Sequence, residues 1–167
     1  MTHTNNHTEA TVSTSSIRSR LWLNPVTSDF LSDANQYDED DYIDDRMTDY
    51  ASESIHVYNC DLYKSITDHP DYAERALDEF GWEGCGKSLS GVGEMTEYLL
   101  YLDHLIEDRK GIVISLILDK LEERGIKEVS KDFNEEVETD DFRTFDDISH
   151  WADDYASSSL TGRTSAV

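Results

Sequence analysis

The sequence predicts an α+β, helix-rich fold, in which several amphipathic acidic helices accompany a small sheet or short strands and both tails are loose. Apolar residues that recur at steps of three and four predict the helices. Short runs of β-branched and aromatic residues predict the strands. Hydrophobic residues make up 37% of the 167, which is enough for a core. We therefore expect a single acidic domain over residues 17–156, with a subdivision near 81–90 as the alternative.

Both ends of the chain are rich in Ser, Thr and other small or polar residues. Such composition buries little surface, so we expect disordered tails over 1–16 and 157–167. Apolar stretches stay far below the roughly 20 residues that cross a bilayer. The two cysteines, Cys60 and Cys85, are too few for a disulfide scaffold and favour a reducing compartment. These features predict a soluble, cytoplasmic protein.

Two segments have the composition of short strands. Ile17–Val26 carries Leu21, Trp22 and Leu23 before Pro25, which predicts a strand or an extended arm that ends at the proline. Ile55–Cys60 is β-branched and aromatic.

Caps and apolar periodicity predict three helices in the middle of the chain. One begins at Pro70, runs to Phe80 and stops at Gly81. A second starts at Ser90 and places its apolar residues on one face. A third, over Arg109–Arg124, is expected to be more buried and to end at Gly125, although its β-branched content leaves a strand open.

A closing helix is predicted from a capping box. Thr144 and Asp147 have the required spacing, and the apolar residues that follow line one side. Those apolar residues are Phe145, Ile148, Ala152 and Tyr155.

Negative charge dominates the composition, with 37 acidic residues against 14 Lys and Arg and a net charge of −23. Duplex DNA, RNA and anionic membranes would be repelled, so we expect no direct nucleic-acid or membrane partner. The acids form three blocks, each with a net charge of −9, over Ser28–Glu53, Asp61–Asp108 and Asp132–Tyr155. Arg109–Lys131 is instead slightly basic.

Two ligand motifs are present in outline. Residues 81–88 fit the spacing of a phosphate-binding P-loop, but that loop must follow a buried strand, and a helix is predicted before it. Asp38 to Asp49 resembles a calcium loop, yet Ile43 stands where a glycine is needed. We favour a glycine-rich connection and a solvated charge run, and we predict no metal and no cofactor.

Catalysis has no distinctive pattern to support it. With so many carboxylates, an acid and a base can be paired almost anywhere, and Cys85 has no adjacent His. We therefore expect a binding protein and not an enzyme.

The spacing of the acids suggests what they bind. Duplex DNA carries one charge per roughly 1.7 Å, so 23 net charges match about 39 Å of duplex, the footprint of a DNA-binding enzyme. Asp146 and Asp147 recur one heptad later as Asp153 and Asp154, about 10 Å along one helical face. The predicted partner-facing acids are Asp40, Asp41, Asp44, Asp45, Glu94, Glu97, Glu107, Asp108, Asp141, Asp146, Asp147, Asp153 and Asp154.

Together these features resemble the DNA-mimicking antirestriction proteins of phages and mobile elements, most nearly the ArdA type. The likeness rests on the aromatic and acidic closing segment over 141–155 and on the leucine-rich, acidic segment over 99–108. It implies a basic DNA-binding partner, such as a type I restriction-modification enzyme in the host cytoplasm. It also implies a homodimer whose contact would involve Leu99, Leu102, Leu105 and Ile106.

Two other functions remain open. The acidity could be an adaptation to high salt, in which case folding would require molar salt. The chain could also be an acidic inhibitor or adaptor that meets a basic protein without copying DNA. The second differs from mimicry in whether DNA competes for the partner.

Overall fold

A computed structural model of the chain describes residues 10–54, 66–84 and 89–166. Its contacts divide the chain into two units, here called unit 1 (residues 1–43 with 108–167) and unit 2 (residues 44–107). The sequence predicts a single domain over 17–156, with a subdivision near 81–90 as the alternative. The contacts divide the chain at 43/44, inside an acidic block, and at 107/108, next to the change from the acidic block 61–108 to the slightly basic segment 109–131.

Unit 1 contains a two-stranded antiparallel sheet. Strand β1 (Thr11–Ser13) pairs with β2 (Glu128–Ser130), and Val12 lies opposite Val129. The prediction of a loose tail over 1–16 is therefore wrong for residues 11–16. Pairing with a distant strand satisfies the backbone of this polar segment, and sequence periodicity does not reveal such a partner.

Two short helices follow, where the sequence predicts a strand or an extended arm. Helix α1 (Thr14–Arg20) is capped by Ser13, whose side chain accepts a hydrogen bond from the Ser16 N–H. Helix α2 (Pro25–Ser32) is capped by Asn24, whose side chain accepts a hydrogen bond from the Val26 N–H, and Pro25 lies in its first turn. The strand prediction at Ile17–Val26 is wrong, because Pro25 opens a helix here and does not end a strand.

The core of unit 1 is built around helix α6 (Arg109–Glu123), which confirms the predicted buried helix. Its residues 111–118 are all buried. A helix that is buried all round needs no polar face, and this explains the uninterrupted apolar run. Gly125 ends the segment with a φ of 79°, the left-handed conformation expected from the sequence.

Helix α8 (Phe145–Ala166) packs on α6 and confirms the predicted closing helix. Phe145, Ile148, Ala152 and Ala156 are buried. The expectation of a disordered tail from 157 is wrong for 157–166, which continue the helix. Once a helix is nucleated, each added residue gains a backbone hydrogen bond, so a polar segment can extend it.

Smaller elements complete unit 1. A 3-10 turn spans Ala34–Gln36, helix α7 spans Phe133–Glu136, and a second 3-10 turn spans Thr139–Asp141.

The described part of unit 2 is mainly helical. Helix α3 spans Ile43–Glu53, α4 spans Pro70–Gly84 and α5 spans Leu89–Glu107. Helices α4 and α5 pack through Ala73 and Val92. The helices predicted from Pro70 and from Ser90 are confirmed, but α4 passes through Gly81, where a stop was expected.

Arg75 links helix α4 to helix α5. It forms an ion pair with Asp103, and one of its amino groups lies 3.2 Å from the second carboxylate oxygen. Hydrogen bonds to the carboxylates of Asp103 and Glu79 raise the pKa of Arg75. The strand predicted at Ile55–Cys60 lies outside the described residues.

The predicted class, helix-rich α+β with a small sheet, is confirmed. Within the described residues, none of the helices combines the length and the apolar character that a membrane span requires.

Candidate acidic partner-binding surface

Two acidic segments about a hundred residues apart in sequence meet at the start of helix α8. The Ile43 N–H donates to the Arg143 carbonyl at 2.8 Å, and the Asp146 N–H donates to the Glu39 carbonyl at 2.7 Å. Between them Tyr42 and Thr144 form an antiparallel bridge. The turn before α3 is therefore fixed, through backbone hydrogen bonds, against the first residues of α8.

This pairing concentrates carboxylates at one end of unit 1, which we call the acidic end. It carries the exposed base Arg143 among its acids. Its acidic residues are Asp38, Glu39, Asp40, Asp41, Asp140, Asp141, Asp146 and Asp147. Two of the three acidic sequence blocks thus contribute to one surface.

Three of these carboxylates lie especially close together. Asp38, Asp40 and Asp41 each place an oxygen within 4.8 Å of the others. Asp41 also accepts a hydrogen bond of 2.9 Å from the Asp38 N–H, which fixes the turn. The other members of the calcium-like pattern, Asp44 and Asp49, lie within helix α3, so the pattern does not form one loop. The cluster concentrates negative potential at the surface.

The second acidic segment is held from behind by Arg109 of α6. Its guanidinium donates to the Thr139 carbonyl at 3.0 Å and to the Phe142 carbonyl at 2.6 Å. Thr139 and Phe142 are buried, while Asp140 and Asp141 between them are exposed. A half-buried cation thus anchors the backbone that carries the exposed acids.

The predicted capping box at the start of α8 is confirmed. Asp147 accepts hydrogen bonds from the Arg143 N–H at 2.8 Å and the Thr144 N–H at 3.0 Å. The Asp147 N–H in turn donates to the Thr144 hydroxyl at 3.3 Å. The two backbone donors lower the pKa of Asp147. This acid therefore stabilises the helix and is less available to a partner than the sequence suggested.

Replacing Asp147 by Ala is expected to lower the free energy of unfolding by about 1 kcal/mol, because the cap is lost. The folded-state pKa lies below the ordinary Asp value of about 3.9, so the contribution is present above that pH. It is lost as the pH falls through the lowered pKa. Urea unfolding at several pH values measures both effects.

Asp154→Ala is the matched control, since it removes the same charge from an exposed position of the same helix. Equal losses of stability in the two variants at neutral pH would contradict the capping role of Asp147.

The other predicted acids of α8 differ in their surroundings. Asp146 lies 3.1 Å from the His150 imidazole. Asp153 forms an ion pair with Arg124, and this hydrogen bond lowers the pKa of Asp153. Asp154 is exposed. The heptad spacing is present, but the four carboxylates do not form a uniform free face as expected.

Asp108 is the clearest correction among the predicted partner-facing acids. Its carboxylate accepts hydrogen bonds from the Asn24 N–H at 2.8 Å and the Thr27 hydroxyl at 2.7 Å. It therefore secures the start of α2 within unit 1. The sequence pattern assigned Asp108 to the polar, partner-facing acids. It could not reveal that Asn24 and Thr27, more than 80 residues away, bind this carboxylate.

The remaining predicted acids belong to unit 2. Asp44 and Asp45 are exposed in the first turn of α3, whereas Asp40 and Asp41 precede that helix in a turn. Asp40 and Asp41 therefore do not share a helical face with Asp44 and Asp45. On α5 Glu107 is exposed, while Glu94 and Glu97 are half-buried.

The expected dimer contact on α5 is only partly at the surface. Leu99 is 2% exposed and Leu105 is fully buried, so both already serve the fold of the chain. Leu102 is half-buried and Ile106 is 54% exposed. Only these last two are accessible to a second copy.

Two basic residues of 109–131, Arg109 and Arg124, bind other elements of unit 1. Arg109 binds carbonyl groups, and Arg124 binds both Asp153 and the Lys120 carbonyl. In the same way Arg18 of α1 forms ion pairs with Asp119 and Glu122, which lower the pKa of Glu122. These cations connect elements of unit 1.

Sequence reasoning missed Asp38, Glu39 and Asp140 as members of the acidic end. Each stands beside an acid that was selected, so adjacency in the sequence was the available signal. The P-loop pattern begins inside a helix, because residues 81–84 continue α4, and residues 85–88 lie outside the described residues. A P-loop follows a strand.

Comparison with known proteins adds no relative: neither a family model nor a curated protein nor a solved structure matches the chain.

Proposed function

We propose that this protein is a DNA mimic, which uses the acidic end to occupy the DNA-binding surface of a basic protein. The observation that carries the proposal is the convergence of the acidic segments 38–41 and 140–147 through backbone hydrogen bonds at the start of α8. A host defence enzyme such as a type I restriction-modification complex is the expected target. Inhibition would follow from occupancy, without chemistry.

Fixed charges favour this function over that of a flexible acidic tail. The acids of the acidic end lie on a turn, a 3-10 turn and the first turn of a helix, each with hydrogen-bonded backbone. Seven of the eight are Asp, whose short side chain loses little rotamer freedom on binding. A surface that is ordered before binding avoids part of the entropic cost of association.

Charge elsewhere supports attraction at long range. Unit 1 holds 22 acidic and 10 basic residues, a net charge of −12, and unit 2 holds 15 and 4, a net charge of −11. A basic partner would be steered toward either unit, and its encounter rate would fall with salt.

The likeness to ArdA-type antirestriction proteins is part of the same proposal, and a homodimer would be its further consequence. Ile106 offers the most exposed apolar side chain on the segment concerned.

An acidic inhibitor or adaptor that does not copy DNA is the second candidate. One observation favours it: a groove with an apolar floor opens beside the acidic end, and DNA offers no counterpart to such a floor. The two candidates predict opposite results in a competition with DNA.

The proposal is tested by immobilising the protein and capturing partners from a nuclease-treated host lysate. We expect DNA-handling enzymes to be retained at low salt, released at about 0.5 M salt and displaced by duplex DNA. Retention that resists duplex DNA would overturn mimicry and favour the second candidate.

A further inference from the structure

Unit 1 contains a groove of about 730 Å³ that the proposed mimicry does not use. Its floor includes Ala34, Leu116, Phe145 and Ile148, which are at most 8% exposed. Tyr37 forms part of the wall, with its ring 5.4 Å from that of Phe145. The volume lies within the range of about 300–1,000 Å³ that is typical of binding sites for small groups.

Carboxylates surround this apolar floor. Glu39, Asp119, Glu122 and Glu123 line the groove, against one ammonium group, that of Lys120. All four acids are exposed. Lys120 lies 3.6 Å from Glu123, and Arg18 forms ion pairs with Asp119 and Glu122, so these two cations offset about half of the four negative charges. The groove therefore combines an apolar interior with a negative rim.

The groove is continuous with the acidic end. Glu39 belongs to both, and its carboxylate accepts a hydrogen bond of 3.1 Å from the Ser149 hydroxyl, another residue of the groove lining. A partner bound at the acidic end would therefore have its nearest residues beside the groove.

We infer that the groove receives an apolar side chain carried on a basic segment of the partner. This inference takes the basic character of the partner from the proposed function. Lys or Arg residues that flank the apolar side chain would be attracted to the carboxylates of the rim. The buried floor selects the apolar side chain between them, because burial removes apolar surface from water. The protein thus recognises a feature of its partner that DNA does not use.

Two short fluorescent peptides test the groove directly. Both carry the same Lys and Arg residues, but one has a central Leu and Phe and the other has Ser at those positions. We expect the apolar peptide to bind about tenfold more tightly, as measured by fluorescence anisotropy. Equal affinities would show that charge alone attracts the peptides and would overturn the inference.

A substitution at the groove wall locates the difference. Asn35 is exposed and lines the groove, so Asn35→Trp should fill it and abolish the preference, whereas Asn35→Ala should retain it. A preference that survives in a folded Asn35→Trp variant would contradict the assignment.

Methyl NMR of the unsubstituted protein gives a second readout. The apolar peptide should shift the methyl signals of Leu116 and Ile148, and the Ser peptide should leave them nearly unchanged. Shifts of these signals that grow with protein concentration alone would instead assign the groove to a second copy of the chain.

Failure of this inference and failure of the proposed function give different results. If the groove fails, the peptides bind equally while duplex DNA still displaces the captured partner. If mimicry fails, the captured partner stays bound to the protein when duplex DNA is added, irrespective of the relative affinities of the two peptides.

Discussion

Replacing Asp38, Asp40, Asp140 and Asp141 together by Asn is expected to weaken binding of the basic partner by at least about tenfold. All four are exposed, and two come from each segment of the acidic end. Asn keeps the size of the side chain and removes the charge, so the loss should be electrostatic. The affinity should also become less dependent on salt, because fewer counterions are displaced on binding. Titration calorimetry with the captured partner at two salt concentrations measures both effects.

The matched control removes the same number of charges from unit 2. Glu53, Asp71, Glu74 and Asp78 are exposed, and their amide variants bring the net charge to the same value. We expect this control to bind nearly as tightly as the unsubstituted protein. Equal weakening in both variants would mean that total charge governs binding, and the acidic end would lose its special role.

Replacing Arg109 by Ala is expected to lower the free energy of unfolding by about 3 kcal/mol, the lower end of the range for two such hydrogen bonds because the side chain is only half-buried. Hydrogen bonds from a charged donor contribute about 1.5–3 kcal/mol each, and the Thr139 and Phe142 carbonyls would lose theirs. Amide hydrogen exchange should also accelerate around Asp140 and Asp141, since their anchor is removed. Chemical denaturation and hydrogen exchange provide the two measurements.

Lys110→Ala is the control for Arg109. It removes one positive charge from the neighbouring exposed position, and we expect a change within about 0.5 kcal/mol. Arg109→Lys should fall between the two, because an ammonium group lacks the planar fork that reaches both carbonyls. If Arg109→Ala were no less stable than Lys110→Ala, the anchoring role would be wrong.

Helices with local signals were predictable from the sequence. The capping box of Thr144 and Asp147, the left-handed Gly125 and the apolar run of α6 all act within a few residues. Elements that depend on distant partners were not predictable. Strand β1 needs Val129 as its neighbour, and the polar segment 11–16 gave no local sign of it.

The candidate surface was predictable in composition but not in arrangement. Asp40, Asp141 and Asp146 were selected as acids, but their proximity depends on the pairing of 39–43 with 143–146. Asp108 shows the converse error, because its charge was visible and its hydrogen bond to Thr27 was not. Net charge can be read from a sequence, whereas the charges that a fold uses internally require the structure.

Competition with duplex DNA tests the central claim most directly. The captured partner, bound to the immobilised protein at about 0.15 M salt, is exposed to increasing duplex DNA, and the fraction that remains bound is measured. Mimicry predicts complete release, with a midpoint that follows the affinity of the partner for DNA. A partner that stays bound when its DNA site is saturated would contradict the account, because the protein and DNA would then occupy different surfaces.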